Sequence, residues 1–113
     1  MDGALAKPKT LPDDPHLPRI AAALRAHFGD RLSRLVLYGS RARGDHRPDS
    51  DYDIAAFLTG EVDRTREDVA IEPLLFDLYR EFGVDVQVWP FREPEIAAQT
   101  LFMHFLRNDG VDL

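Results

Sequence analysis

Apolar positions recur at helical intervals over residues 18–28, where Ile20, Ala23, Leu24 and Phe28 share one side and Gly29 supplies a stop. Leu32 and then the unbroken run 35–38 read as a strand that becomes fully buried and ends at Gly39. Residues 40–46 predict a short helical turn, and "HRPDS" a loop. The stretch 51–58, "DYDIAAFL", reads as a second buried strand despite two acids at its start. From 63 to 82, Val69, Ile71, Leu74, Leu75, Leu78, Tyr79 and Phe82 keep helical spacing, interrupted by Pro73. Either the helix kinks there, or it ends and Pro73 opens a second one; Gly83 closes the segment. Over 84–89 alternation is strict, with Val84, Val86 and Val88 on one face and Asp85, Gln87 and Trp89 on the other. Pro90 is expected to close that strand, and "EPEIAAQTLFMHFLRNDG" to form one last helix stopped by Gly110. The order helix, strand, turn, strand, helix, strand, helix defines a small α/β domain, a short sheet with helices packed against it.

Composition narrows the class. At 113 residues, 44% of them hydrophobic and 30% charged, the chain is long enough for one core and too short for two. We read residues 1–15 as a flexible arm and 16–113 as a single domain; the arm is rich in proline and carries both lysines. Asp13 and Asp14, ahead of Pro15, are candidates to cap the first helix. Cysteine is absent, which removes thiolate nucleophiles, zinc–cysteine sites and disulfides. No apolar run approaches the ~20 residues that span a bilayer, and no signal pattern opens the sequence, so a cytoplasmic protein without a membrane partner is expected. A net charge of −6 argues against nucleic acid as the main partner. Within that acidic total, Arg31, Arg34, Arg41, Arg43 and Arg47 cluster beside the acids of 45–53, a placement that suits a small anionic ligand.

Three features call for chemistry. Gly39-Ser40 ends a buried strand and opens a helical turn, where free N–H groups and a hydroxyl can hold phosphate oxygens. Taken alone, Gly-Ser is a common turn pair. Asp51 and Asp53 are two apart in a strand, so their carboxylates point the same way. Charges at ~4 Å repel unless a cation intervenes, although a lone Asp-x-Asp is more often a solvated strand end. Asp85 lies on the polar face of a later strand and can meet the pair if that strand adjoins 51–58. A third carboxylate converging on a pair is much less common by chance.

Together, Gly39-Ser40, Asp51-x-Asp53 and Asp85 make "VLYGSRARGDHRPDSDYDIAAFL" resemble the DNA polymerase β-like nucleotidyltransferase superfamily. More narrowly, the chain is similar to the minimal nucleotidyltransferases, including antitoxins paired with HEPN-domain ribonuclease toxins. The resemblance covers about residues 19–113 and implies the polymerase β-like fold, an α+β arrangement with a small mixed sheet. It also implies that Gly39 and Ser40 hold the β- and γ-phosphates of a nucleoside triphosphate. Asp51 and Asp53 would ligate two Mg²⁺ ions, and Asp85 would complete the shell of the catalytic one and accept a proton. The reaction implied is transfer of NMP, from ATP as the favoured substrate, to a protein hydroxyl, with a HEPN toxin as the partner silenced. A non-catalytic antitoxin that acts by binding, and a small-molecule nucleotidyltransferase, are the alternatives. Arg41 and Arg43 follow the phosphate turn; either could clamp triphosphate or merely pair with Asp45 or Asp49, and the family's "ARGD" segment favours Arg43.

Other residues carry less. His16, His27, His46 and His104 show no metal-ligand spacing, and Trp89 reads as a core or rim aromatic that could stack on a base. In the last helix Ala98, Leu101, Phe102 and Phe105 form one stripe, with Ile96, Met103 and Leu106 off it. A helix apolar on more than one face suggests a protein partner or self-association into a homo-oligomer.

Overall fold

The computed structural model describes residues 11–113. Helix α1 (Leu17–Phe28) leads through a 3₁₀ turn (Gly29–Arg31) into β1 (Leu32–Tyr38), the short α2 (Ser40–Arg43) and β2 (Tyr52–Leu58). Then come α3 (Arg64–Phe82), β3 (Val86–Arg92), a second 3₁₀ turn (Glu93–Ala97), α4 (Leu101–Asp109) and β4 (Val111–Asp112). The sheet is mixed, in the order β3-β2-β1-β4: β1 runs antiparallel to β2 and to β4, while β2 and β3 are parallel across the α3 crossover.

Alternation along the strands separates two cores. Leu35, Leu37, Ile54, Ala56 and Leu58 face α1 and α3, where Ile20, Leu24, Ile71 and Leu78 cover them. Val36, Ala55 and Phe57 face the other way, against Phe91, Ile96, Met103 and Leu106. Both faces of β2 are thus buried over Ile54–Leu58, which is why the sequence there is continuously apolar.

Four local expectations change. Pro73 neither splits nor ends α3, which continues through it; Pro73 and Val69 are exposed, so water can serve the Val69 carbonyl left without a donor. β3 does not stop at Pro90 but runs on to Arg92, because β3 is an edge strand and the proline nitrogen faces away from β2. The single last helix is two elements: the turn ends at Ala97, and α4 starts afresh where the Thr100 hydroxyl accepts from the Met103 N–H at 3.2 Å. β4 was not expected; it pairs Val111 with Leu37 and is fastened by the Arg34 guanidinium, which donates to both Asp112 oxygens at 2.7 and 2.9 Å.

The flexible arm lies partly outside the described residues, and its last residues are anchored. Asp14 accepts from the His16 N–H at 2.8 Å and from the Tyr52 hydroxyl at 2.7 Å, so it ties the approach of α1 to β2. No helix among the described residues is long and apolar enough to cross a membrane.

One ion pair lends a pH test. Glu67 on α3 is buried and takes both Arg31 guanidinium nitrogens at 2.6 and 3.0 Å, which holds its carboxyl below the usual range against the opposing effect of burial. A depressed folded pKa gives stability that is present above the unfolded value of 4.5 and lost as pH falls through the folded one. Glu67→Gln should therefore melt lower than wild type at pH 7, with the gap closing as pH falls below 4.5 and through the depressed folded value. Thermal scans across pH check this, and a gap that persisted into acid would contradict it.

Candidate active site

The expected site residues collect at one end of the sheet. Asp53 sits in β2, level with Tyr38 of β1 and Gln87 of β3. Asp51 and Asp85 precede β2 and β3 rather than lying within them, and the Tyr52 N–H donates to the Asp85 carbonyl at 2.8 Å. The parallel register continued back by one residue sets Asp85 beside Asp51, so both point to the face that carries Asp53.

Gly39 is required here on two counts. Its backbone (φ 74°, ψ −157°) lies in a region that only glycine occupies readily, and a Cβ built on it would stand 2.6 Å from Asp53 Oδ2. The missing side chain is the room that Asp53 fills. Just beyond, the Ala42 and Arg43 N–H groups donate to the Gly39 carbonyl at 3.1 Å, while Ser40 and Arg41 head the turn with amides that have no intrahelical acceptor. Gly39 thus stands against Asp53, and Ser40 follows it at the head of the turn.

The carboxylates feel one another. Burial pushes the Asp53 carboxyl up, Asp51 adds to this, Arg43 opposes it and Asp85 adds again. Asp51 is likewise pushed up, by burial, then by the charge of Asp85 and a hydrogen bond to it. Burial and Asp53 together raise the Tyr38 phenol. Among the described residues no three acidic or histidine side chains form a ready chelating group. The donor set is all oxygen, and two of its carboxyls are held above their usual range, Asp53 partly by the charge of Asp51 and Asp51 partly by that of Asp85. Those residues fit a hard divalent cation.

Arg41 and Arg43 part company. Arg41 is buried, its guanidinium donating to the Ser50 carbonyl at 2.9 and 3.0 Å and to the Pro48 carbonyl at 3.0 Å, 4.0 Å above the Tyr52 ring and 3.5 Å from Asp14. It braces the loop that delivers Asp51. Arg43 stays half exposed, 3.1 Å from Asp45 and 3.8 Å from Asp109, and its charge reaches Asp53. Gln87, placed on the face of Asp85 by the sequence but given no role there, donates from Nε2 to Asp85 Oδ1 at 3.0 Å and so orients that carboxylate. Its signal was its place two residues after Asp85 on the polar face. Trp89 is 49% exposed on this same face, a rim aromatic beside an apolar groove of about 460 Å³ that it shares with Phe91 and Phe102.

Self-repulsion is measurable. Asp51→Asn with Asp53→Asn should raise the melting temperature of the metal-free protein at neutral pH. A carboxyl raised in the folded state opposes folding once ionised, so the gain should fade as pH falls below the unfolded value of 3.8. A clear drop at pH 7 would show that the acids do not strain the fold.

The turn that ends β1 thus faces Asp53, and Asp51 and Asp85 lie level with each other just ahead of β2 and β3. The nucleotidyltransferase domain family matches residues 17–105, and the chain belongs to that family, a family of enzymes. A candidate protein adenylyltransferase of Methanocaldococcus jannaschii is 42% identical over 41 residues, 36% of this chain and 39% of that protein, so the match spans well under half of the relative. Two solved toxin–antitoxin structures share the fold. One, determined with AMP-PNP, matches with a TM-score of 0.63 at 23% identity, over 84% of this chain and 69% of that one. The other, a double aspartate-to-glutamate mutant of MntA–HpeT, gives 0.62 at 21% identity over the same shares. The expected mixed α+β fold is borne out by both.

Proposed function

We propose that this chain transfers AMP from ATP to a hydroxyl of a protein, and that it serves as an antitoxin that silences a HEPN-type ribonuclease in this way. The observation that carries the reading is the gathering of Asp51, Asp53 and Asp85 on one sheet face, beside a glycine whose absent side chain makes room for Asp53. A pure binding protein has no use for that repulsion. The names of the similar proteins support the acceptor and the setting: one a candidate protein adenylyltransferase, two from toxin–antitoxin pairs, one of them with an ATP analogue.

Each residue then has a task. The Ser40 hydroxyl and the amides that follow Gly39 bind the β- and γ-phosphates. Asp51 and Asp53 would hold Mg²⁺, joined by Asp85, and the metal would supply charge neutralisation and polarisation of the α-phosphate. Arg43 offsets negative charge near Asp53. Asp85, oriented by Gln87, accepts the proton of the attacking hydroxyl. The new bond joins the acceptor oxygen to the α-phosphorus, in line with the bond that breaks, and pyrophosphate leaves.

Weighing the purified partner by intact-mass spectrometry after incubation with ATP and Mg²⁺ tests this. A gain of whole adenylyl units is expected. Full neutralisation of the partner by Asp53→Ala with no mass gain would replace transfer by simple binding. Equal labelling from GTP, CTP or UTP would remove ATP as the preferred donor.

A further inference from the structure

β3 closes one end of the sheet, and among the described residues nothing pairs with its outer edge. The register decides which backbone groups are left there. Tyr52 is level with Val86, and its N–H donates to the Asp85 carbonyl. In a parallel ladder this turns the N–H and C=O of Gln87 and Trp89 toward β2, and those of Val86 and Val88 outward. Pro90 takes the next outward position and has no N–H to offer. An open ladder therefore starts next to Asp85 and is stopped by a proline.

Helix α3 makes a wall beside this edge. Two neighbouring clefts of about 220 and 250 Å³ follow the junction and share Glu72, Leu75 and Gln87 as lining. One ends at Tyr79 and Asp85, the other at Asp68 and Trp89. The furrow thus runs the length of five strand residues, about 13 Å from first to last Cα. Asp68, Glu72 and Asp85 line it with no basic side chain, and the exposed Phe76 and Tyr79 stand on its helical wall.

We propose that this furrow seats an extended segment of the acceptor polypeptide, added to β3 as a fifth strand with the acceptor hydroxyl level with Asp85. The inference rests on the transfer to a protein hydroxyl proposed above, and it specifies how that hydroxyl arrives. An unpaired backbone row recognises an extended chain, since a helix has no main-chain groups free to meet it. Residues level with one another on neighbouring strands share a face. A side chain level with Asp85 therefore turns onto the face of the three acids, while those level with Val86 and Val88 turn toward Leu75 and Phe76. The segment recognised is a serine, threonine or tyrosine followed, in either chain direction, by alternating apolar and basic residues. The basic ones turn away from α3 onto the face of Asp51, Asp53 and Asp85, whose charge selects them.

The test uses the full chain, labelled with ¹⁵N, and two eight-residue peptides that alternate valine with lysine and carry one serine at opposite ends. One peptide should shift the Val86 and Val88 amide signals and slow their hydrogen exchange. N-methylation of that peptide at the residues facing β3, which leaves the protein untouched, should weaken it by about tenfold or more. Val88→Pro should do the same while ATP binding stays as in wild type. Shifts centred on Phe102 and Phe105, no binding by either peptide, or Val86 and Val88 amides already protected in the free protein would each overturn the proposal. The last would make residues 1–10 or a second copy the occupant. Peptide binding in a protein that transfers no nucleotide would sink only the reading of the reaction; transfer with a silent edge would sink only this one.

Discussion

Gly39→Ala should all but abolish nucleotide transfer while leaving a folded, weakened protein. The added methyl would stand 2.6 Å from Asp53 Oδ2 and must keep a φ of 74°. Such strain costs about 1–3 kcal/mol, a loss that urea unfolding would register. The larger effect falls on rate. Relief of the clash moves Asp53 or the phosphate turn by a fraction of an ångström to an ångström, and misplacement on that scale lowers transfer by about 10²-fold or more. Tyr38→Phe, at the neighbouring β1 position, removes a hydroxyl without touching the turn and should leave most activity. Transfer by Gly39→Ala near the wild-type rate would mean that the turn does not hold the reacting groups.

Asp53→Asn should cost even more activity and yet stabilise the empty protein. The amide keeps the shape but is a poor ligand for a hard cation, and several kcal/mol of charge stabilisation at the reacting phosphate would be lost. That corresponds to a fall of roughly 10³-fold or more. In the absence of metal the same change removes a partly buried charge that Asp51 and Asp85 oppose, so the melting temperature should rise or hold at neutral pH. Opposite movements of rate and stability separate a site residue from a structural one. A variant that lost both would show that Asp53 supports the fold.

Much of this was legible in the sequence because the signals are local. β1 and β2 announce themselves by apolar runs, β3 by alternation from Val84, and α1 and α3 by spacing and terminal glycines. The three aspartates were legible because strand parity fixes a face, which carried Asp85 to the correct side even though it precedes β3. The remainder depends on partners distant in sequence. Two residues of β4 are too few for a period to show; what makes them a strand is pairing with Val36 and Leu37, some seventy-five residues earlier. Pro90 is tolerated only because β3 lies at the edge, a fact about sheet order that its own neighbours do not contain. Arg41 and Arg43 look interchangeable as text. The fold sends one to the Ser50 carbonyl and leaves the other by Asp53.

The account stands on one arrangement, three aspartates able to close on a divalent ion beside the glycine–serine turn. Crystals soaked with Mn²⁺ and a non-hydrolysable ATP analogue, read by anomalous scattering, test it most directly. The predicted map has a metal peak ligated by Asp51 and Asp53, with Asp85 turned toward it and the triphosphate against Ser40. A peak elsewhere, or nucleotide bound with Asp85 facing away from the other two, would contradict it.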